Sequence, residues 1–158
     1  MMLFLHWAGF SLWLGAQITF MVWGPAARNQ KLEVWAHTWI TLSKVQRFIV
    51  APACVVATVT GIVLTMRLAA SHFDMGAATG MMVMQGAGIL AALFTLGFAT
   101  PLANRMGYLA VRSLEKGEKD PAAERVRSRL ALLGSIGGVL VLVALYFGAL
   151  GPGAGDVR

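Results

Sequence analysis

Four stretches of the chain contain no Lys, Arg, Asp or Glu: Met2 to Trp23, Phe48 to Met66, Met81 to Ala103 and Leu130 to Leu150. Each is close to the roughly 20 apolar residues that a helix needs to cross the hydrocarbon core of a bilayer. The pattern predicts an all-α integral membrane protein, a single four-helix transmembrane bundle over residues 1–158. The first stretch has no basic lead-in, its apolar run exceeds that of a secretory signal, and no cleavage site follows Gly24-Pro25, so it is expected to be a retained helix.

The polar segments carry their own periodicity. Leu32, Trp35, Trp39 and Leu42 recur at three- and four-residue spacing among polar residues, which predicts an amphipathic helix between the first and second spans. Lying in the interface, it would place Trp35 and Trp39, with Trp23, at headgroup depth. In the third connection, Asn104 to Arg129, Asp120-Pro121 reads as a helix N-cap followed by proline at the first helical position. A helix from Pro121 to Leu150 is about 45 Å long and carries Arg125, Arg127 and Arg129 beyond the hydrocarbon, against headgroups. Small residues mark two packing faces: Cys54, Thr58, Gly61 and Thr65 on the second span, and Gly134, Gly138, Ala144 and Gly148 on the fourth.

Composition agrees with a membrane solvent. Of 158 residues, 58% are hydrophobic and 13% charged, far from the soluble balance. The single cysteine, Cys54, lies inside a span, so no intramolecular disulfide forms and a small disulfide scaffold is excluded. A net charge of +6 comes from basic residues that flank apolar spans, which points to anionic headgroups and not to nucleic acid. Eleven basic residues fall in the first and third connections and two, Arg67 and Arg158, on the opposite side. The positive-inside rule therefore puts those two connections in the cytoplasm and both termini outside, as in a bacterial inner membrane protein with periplasmic termini.

Chemistry-bearing residues inside the spans are few. His6 lies about a turn from the outer end of the first span, on a face shared with Phe10, Trp13 and Gln17 within about 40° of helical projection. That face is expected to look into the bundle, where a neutral imidazole suits haem or metal; the plainer alternative is a hydrogen-bonded core histidine. His72 falls on the same outer side, in the second connection, whereas His37 is a solvated residue on the cytoplasmic side. Most methionines, among them Met81, Met82 and Met84, also map to the outer half, and thioethers with imidazole suit Cu(I); methionine is also a common apolar filler. No acidic residue stands in a span, and HExxH, phosphate-loop and serine-histidine-acid patterns are absent from the sequence, which argues against hydrolases and proton-coupled transport.

Leu5-His6, Gly9, Trp13-Leu14-Gly15 and Phe20, followed by Arg47 to Pro52 and Thr58 to Gly61, resemble the copper-resistance D (CopD)-like proteins and the HemJ-like protoporphyrinogen oxidases over about residues 3 to 66. The resemblance implies four helices and, in HemJ-like members, haem ligation by the histidine at the position of His6. The third helix of those proteins carries a tryptophan and a lysine. Here Met81-Met82-Val83-Met84-Gln85 stands instead, with Gln85 in the equivalent region.

The first functional expectation is a non-catalytic accessory subunit packed among the protein subunits of a larger respiratory or photosynthetic membrane complex. The second is a haem-b-binding, HemJ-like oxidoreductase using His6, with Gln85 beside the cofactor. The third is copper handling at the outer face by His6, His72, Met81 and Met84.

Overall fold

The computed structural model describes residues 1–70 and 79–150, and every regular element among them is helical. The elements are α1 (Met2–Ala26), α2 (Leu32–Val45), α3 (Ala51–Ala70), α4 (Thr79–Phe94), α5 (Thr100–Lys116) and α6 (Pro121–Leu150). α2 and α3 are halves of one rod, Leu32–Ala70, joined through a π-turn at Gln46–Val50. α4 and α5 form a second rod, Thr79–Lys116, joined through a π-turn at Thr95–Ala99.

Each π-turn has a local cause. Proline has no N–H, and its ring presses on the carbonyl four residues back. Pro52 and Pro101 each stand two residues after a π-turn, in which Ala51 N–H bonds to the Gln46 carbonyl and Thr100 N–H to the Thr95 carbonyl. Shifting the pairing to five residues just ahead of each proline removes the tight register that the ring opposes, and the helix continues. The turns are tied to each other. Gln46 Nε2 donates to Thr100 Oγ1 at 2.9 Å, and Thr100 Oγ1 donates to the Thr95 carbonyl at 2.8 Å.

Among the described residues, three helices are long and apolar enough to cross a membrane: Leu32–Ala70, Thr79–Lys116 and Pro121–Ala149. The remaining expected span, residues 2–23, falls on α1, which has 25 residues and is not among these three. Its outward face is nonetheless apolar, with Phe4, Leu12, Ile18 and Val22 exposed.

The amphipathic helix expected between the first two spans forms as α2, and the correction concerns what covers its apolar face. Leu32–Val45 runs straight into the next span, and Trp35 and Trp39 are each only 4% exposed. The apolar stripe read as membrane-facing packs instead on α5, whose Met106, Leu109 and Ala110 are buried against it. A three-to-four periodicity reports an apolar face without saying whether lipid or protein covers it. Gly107 allows this pair its close approach, since a Cβ there would overlap the Ser43 side chain.

The connection to α6 follows the expected chemistry. α5 ends at Gly117 in the left-handed conformation (φ 72°), and Asp120 Oδ1 accepts the Ala122 N–H at 2.9 Å ahead of Pro121. Lys119 Nζ then donates to the carbonyls of Arg28 at 3.1 Å and Gln30 at 2.9 Å, which clamps the α5–α6 turn onto the α1–α2 turn.

In the other half of the molecule the helices associate as two pairs, α1 with α3 and α4 with α6. Gly9 sets the first pair, because a Cβ there would stand 2.9 Å from the Ala53 carbonyl oxygen and 3.0 Å from the Ala57 nitrogen. The face of α1 that holds Gly9, Phe10, Trp13 and Gln17 is buried, as the projection from His6 predicts.

Candidate functional site

Between the two helix pairs lies a half-open cavity of about 240 Å³. The α1–α3 wall contributes His6, Phe10 and Trp13 with Thr58, Gly61 and Thr65; the α4–α6 wall contributes Met81, Met84, Gln85 and Gly148. The small-residue stripe expected on the second span thus divides its work. Cys54 is fully buried in the core, while Thr58, Gly61 and Thr65 leave room for the cavity. Among the described residues no carboxylate, lysine or arginine lines it.

His6 is held from behind. Its Nδ1 lies 2.8 Å from the Ala57 carbonyl oxygen, with Thr60 Oγ1 at 3.4 Å. A carbonyl can only accept, so Nδ1 carries the proton and, in the neutral ring, Nε2 carries the lone pair. Gly61 gives the ring its place: a Cβ there would lie 3.0 Å from His6 Cε1. One ring nitrogen is thus committed to a fixed carbonyl, which sets the tautomer and the orientation of the ring.

The facing wall supplies soft and polar groups. Met84 packs over Gly148, where a Cβ would stand 2.9 Å from its sulfur, so glycine there is what admits the thioether. Gln85 Nε2 donates to Thr65 Oγ1, which joins the two walls at one edge of the cavity. Below the cavity, Phe10 and Trp13 continue from His6 as an aromatic row, with ring centroids 6.5 and 6.4 Å apart along it. Trp13 Nε1 donates to Thr95 Oγ1 at 3.2 Å, so the floor of the site rests on the second π-turn.

Of the residues expected from sequence, the structure brings His6, Met81, Met84 and Gln85 to one cavity. Met82, next to Met81, is exposed. His37 is exposed on α2. His72 lies outside the described residues. No group of three or more His, Cys, Asp or Glu side chains is placed to hold a metal among the described residues; any metal here would depend on the imidazole and the thioethers. Sequence reasoning did not single out Ala57 or Gly61 as partners of His6, although Gly61, a small residue in an apolar span, was legible as a place where something bulky approaches.

Comparison with family models, with curated proteins and with solved structures finds no match to this chain.

Proposed function

We propose that this chain is a non-catalytic, four-span integral membrane subunit, with both termini outside, that carries a haem-b-type cofactor on His6 in the cleft between its two outer helix pairs. The observation that carries this reading is the fixed imidazole: Nδ1 is committed to the Ala57 carbonyl at 2.8 Å, and the ring lines a cavity with a methionine thioether on the opposite wall. His6 and Met84 would be the residues to hold the iron, since imidazole and thioether are both donors that haem iron accepts. A cavity of about 240 Å³ is smaller than the roughly 300–1,000 Å³ that encloses a drug-sized ligand, so the half-open cleft would enclose only part of a macrocycle. The resemblance of residues 3 to 66 to HemJ-like proteins supports the same residue.

Within this reading the chain binds and positions. His6 would hold the group through its free ring nitrogen and Met84 through its sulfur, while Phe10, Trp13 and the apolar walls would exclude water. Bound haem supplies one-electron chemistry. The absence of a carboxylate or lysine along the cavity wall, among the described residues, gives the protein no acid–base pair of its own there. Electrons would come from and pass to partner subunits in the same membrane.

The test is an oxidised and reduced absorption spectrum of protein extracted gently from its native membrane, with co-purifying chains identified by mass spectrometry. About one haem per chain is expected, lost in His6→Ala with helix content unchanged by circular dichroism. A His6→Ala protein with full haem content, or a wild type with none, sinks the reading. Large stoichiometric partners without a chromophore would leave a purely structural accessory subunit.

Copper is the second reading, favoured by the presence of Met81 and Met84 on the same cavity as His6. It requires Cu(I) binding by the unmodified protein and its loss in Met84→Leu.

A further inference from the structure

Among the described residues, two side-chain hydrogen bonds join the α1–α3 pair to the rod that contains α4. Trp13 donates to Thr95 at the floor of the His6 cavity, and Gln85 donates to Thr65 on its α3–α4 side, roughly 15 Å away along the rod. Within each pair the helices are locked more closely. Gly9 brings α1 onto the backbone of α3; Gly148 on α6 receives Met84 of α4, and Gly80 on α4 receives Phe147 of α6.

The seam between α3 and α4 is thin next to this bond. Gly88, about one turn beyond Gln85, lines the cavity, and a Cβ there would meet nothing within 4 Å. Ile62 on α3 and Ile89 on α4 line the cavity and are also exposed on the outer surface, so they border an opening that would face acyl chains. The other side, between α1 and α6, is bordered by the larger Leu3 and Trp7, with the Trp7 ring 6.4 Å from that of His6. Thr65 is placed to let its bond go. Its hydroxyl donates to the Gly61 carbonyl at 3.1 Å whether or not Gln85 is attached, so opening strands no donor on α3. Interhelical side-chain hydrogen bonds in membranes are individually weak.

We propose that the α3–α4 seam is a lateral gate, through which an apolar ligand dissolved in the acyl chains reaches the His6 cavity, and that the Gln85–Thr65 hydrogen bond is its latch. The proposal rests on the reading that this cavity takes a ligand, and it holds for haem or for another apolar occupant. Polarity selects the route. The cavity wall carries no charged side chain among the described residues, and the exposed borders of the seam are isoleucines, so the path from the bilayer to the imidazole is apolar throughout. With the latch formed, α3 and α4 are held together beside His6. With it broken, the two locked pairs part along the seam as units.

The experiment uses the full chain in phosphatidylcholine nanodiscs with a reporter thiol on the cavity wall, Met84→Cys, in a Cys54→Ala background that removes the one native cysteine. N-ethylmaleimide, which enters bilayers, is the probe, and its addition is timed by mass spectrometry. Thr65→Val keeps the shape of the side chain, breaks the latch and should speed labelling by about threefold to tenfold, as loss of one interhelical hydrogen bond gives. Gln85→Leu should match it, and the double variant should label no faster than either single one, because the same bond is lost. Trp7→Ala, which opens the other side, should leave the rate unchanged, and a membrane-impermeant sulfonated maleimide should label far more slowly throughout. Unchanged labelling in Thr65→Val overturns the proposal, as does absence of labelling in every variant. Equal acceleration by Trp7→Ala, additive acceleration in the double variant or equal rates for the two maleimides overturn it as well. Labelling needs no haem, so a chain that binds none leaves this test intact, while a failed gate leaves the His6→Ala haem result standing.

Discussion

At Gly9 the distance between two helices is decided by the absence of one carbon. The atoms that a Cβ would meet belong to the backbone of α3, at 2.9 and 3.0 Å, and backbone cannot swing aside as a side-chain tip can. Gly9→Leu should therefore destabilise the protein by about 1–3 kcal/mol or more, as overpacking does. Gly138→Ala should act oppositely. With open space at its Cβ, it gains about 0.5–1 kcal/mol from helix propensity alone. Thermal unfolding in one detergent, followed by circular dichroism, ranks the two against wild type; a Gly9→Leu protein as stable as wild type would mean that α1 and α3 are not held at this separation. The same close approach bears on His6, since the α1–α3 distance sets its 2.8 Å contact with the Ala57 carbonyl. Under the proposed haem reading, Gly9→Leu should therefore lose haem as it loses stability, and the two should fall together.

At the scale of elements, the two rods owe their continuity to the π-turns, and the turns owe part of theirs to each other. Gln46→Ala removes the donor to Thr100 and should cost about 0.5–1.5 kcal/mol. Thr100→Val removes the same bond together with the Thr100 bond to the Thr95 carbonyl. If the link acts as a unit, the double variant costs less than the sum of the single ones; strict additivity would show that the turns form independently. Much of this level was legible in the sequence and some was not. Charge-free stretches locate all four long helices, and Asp120-Pro121 marks the start of α6 because N-capping is a local interaction of neighbouring residues. The face of α1 around His6 follows from helical geometry alone. What the pattern could not convey was the covering of Trp35 and Trp39, which depends on where α5 lies, a relation between segments some seventy residues apart. The π-turns left a trace in Pro52 and Pro101, yet a proline inside an apolar span reads equally as a kink or a helix start. The convergence of His6 with Met81, Met84 and Gln85 needed tertiary placement, since spacing reveals which residues share a helix face and not which faces meet.

Across the whole molecule, the α1–α2 and α5–α6 turns are fastened to each other by Lys119, which also lies over the Trp35 ring at 5.7 Å. Two turns held by direct hydrogen bonds must emerge on the same side of any membrane that the chain crosses. Around them stand Arg28, Glu124 and Arg127, with Glu124 accepting from Arg127 and lying 3.5 Å from Arg28, and Asp120 within 4.0 Å of both Arg112 and Lys116. The Arg28–Glu124 pair, exposed on both sides, contributes little to stability by itself. The importance of these charges lies in orientation, because the positive-inside rule predicts the cytoplasmic side for a cluster so rich in Lys and Arg. The rod Leu32–Ala70 is about 58 Å long, nearly twice the hydrocarbon thickness, so α2 with its partner α5 must extend beyond the bilayer on that side. Single cysteines in a Cys54→Ala background test this arrangement, Cys54 being buried and its alanine replacement small. In sealed right-side-out vesicles, Arg67→Cys should react with a membrane-impermeant maleimide, and Glu118→Cys should react only after the vesicles are opened. Labelling of Glu118→Cys in intact vesicles would invert the orientation and move the His6 cavity to the cytoplasmic half. Labelling of both from one side would mean that the rod Leu32–Ala70 does not cross, since Arg67 and the turn fastened to its far end would then share a compartment.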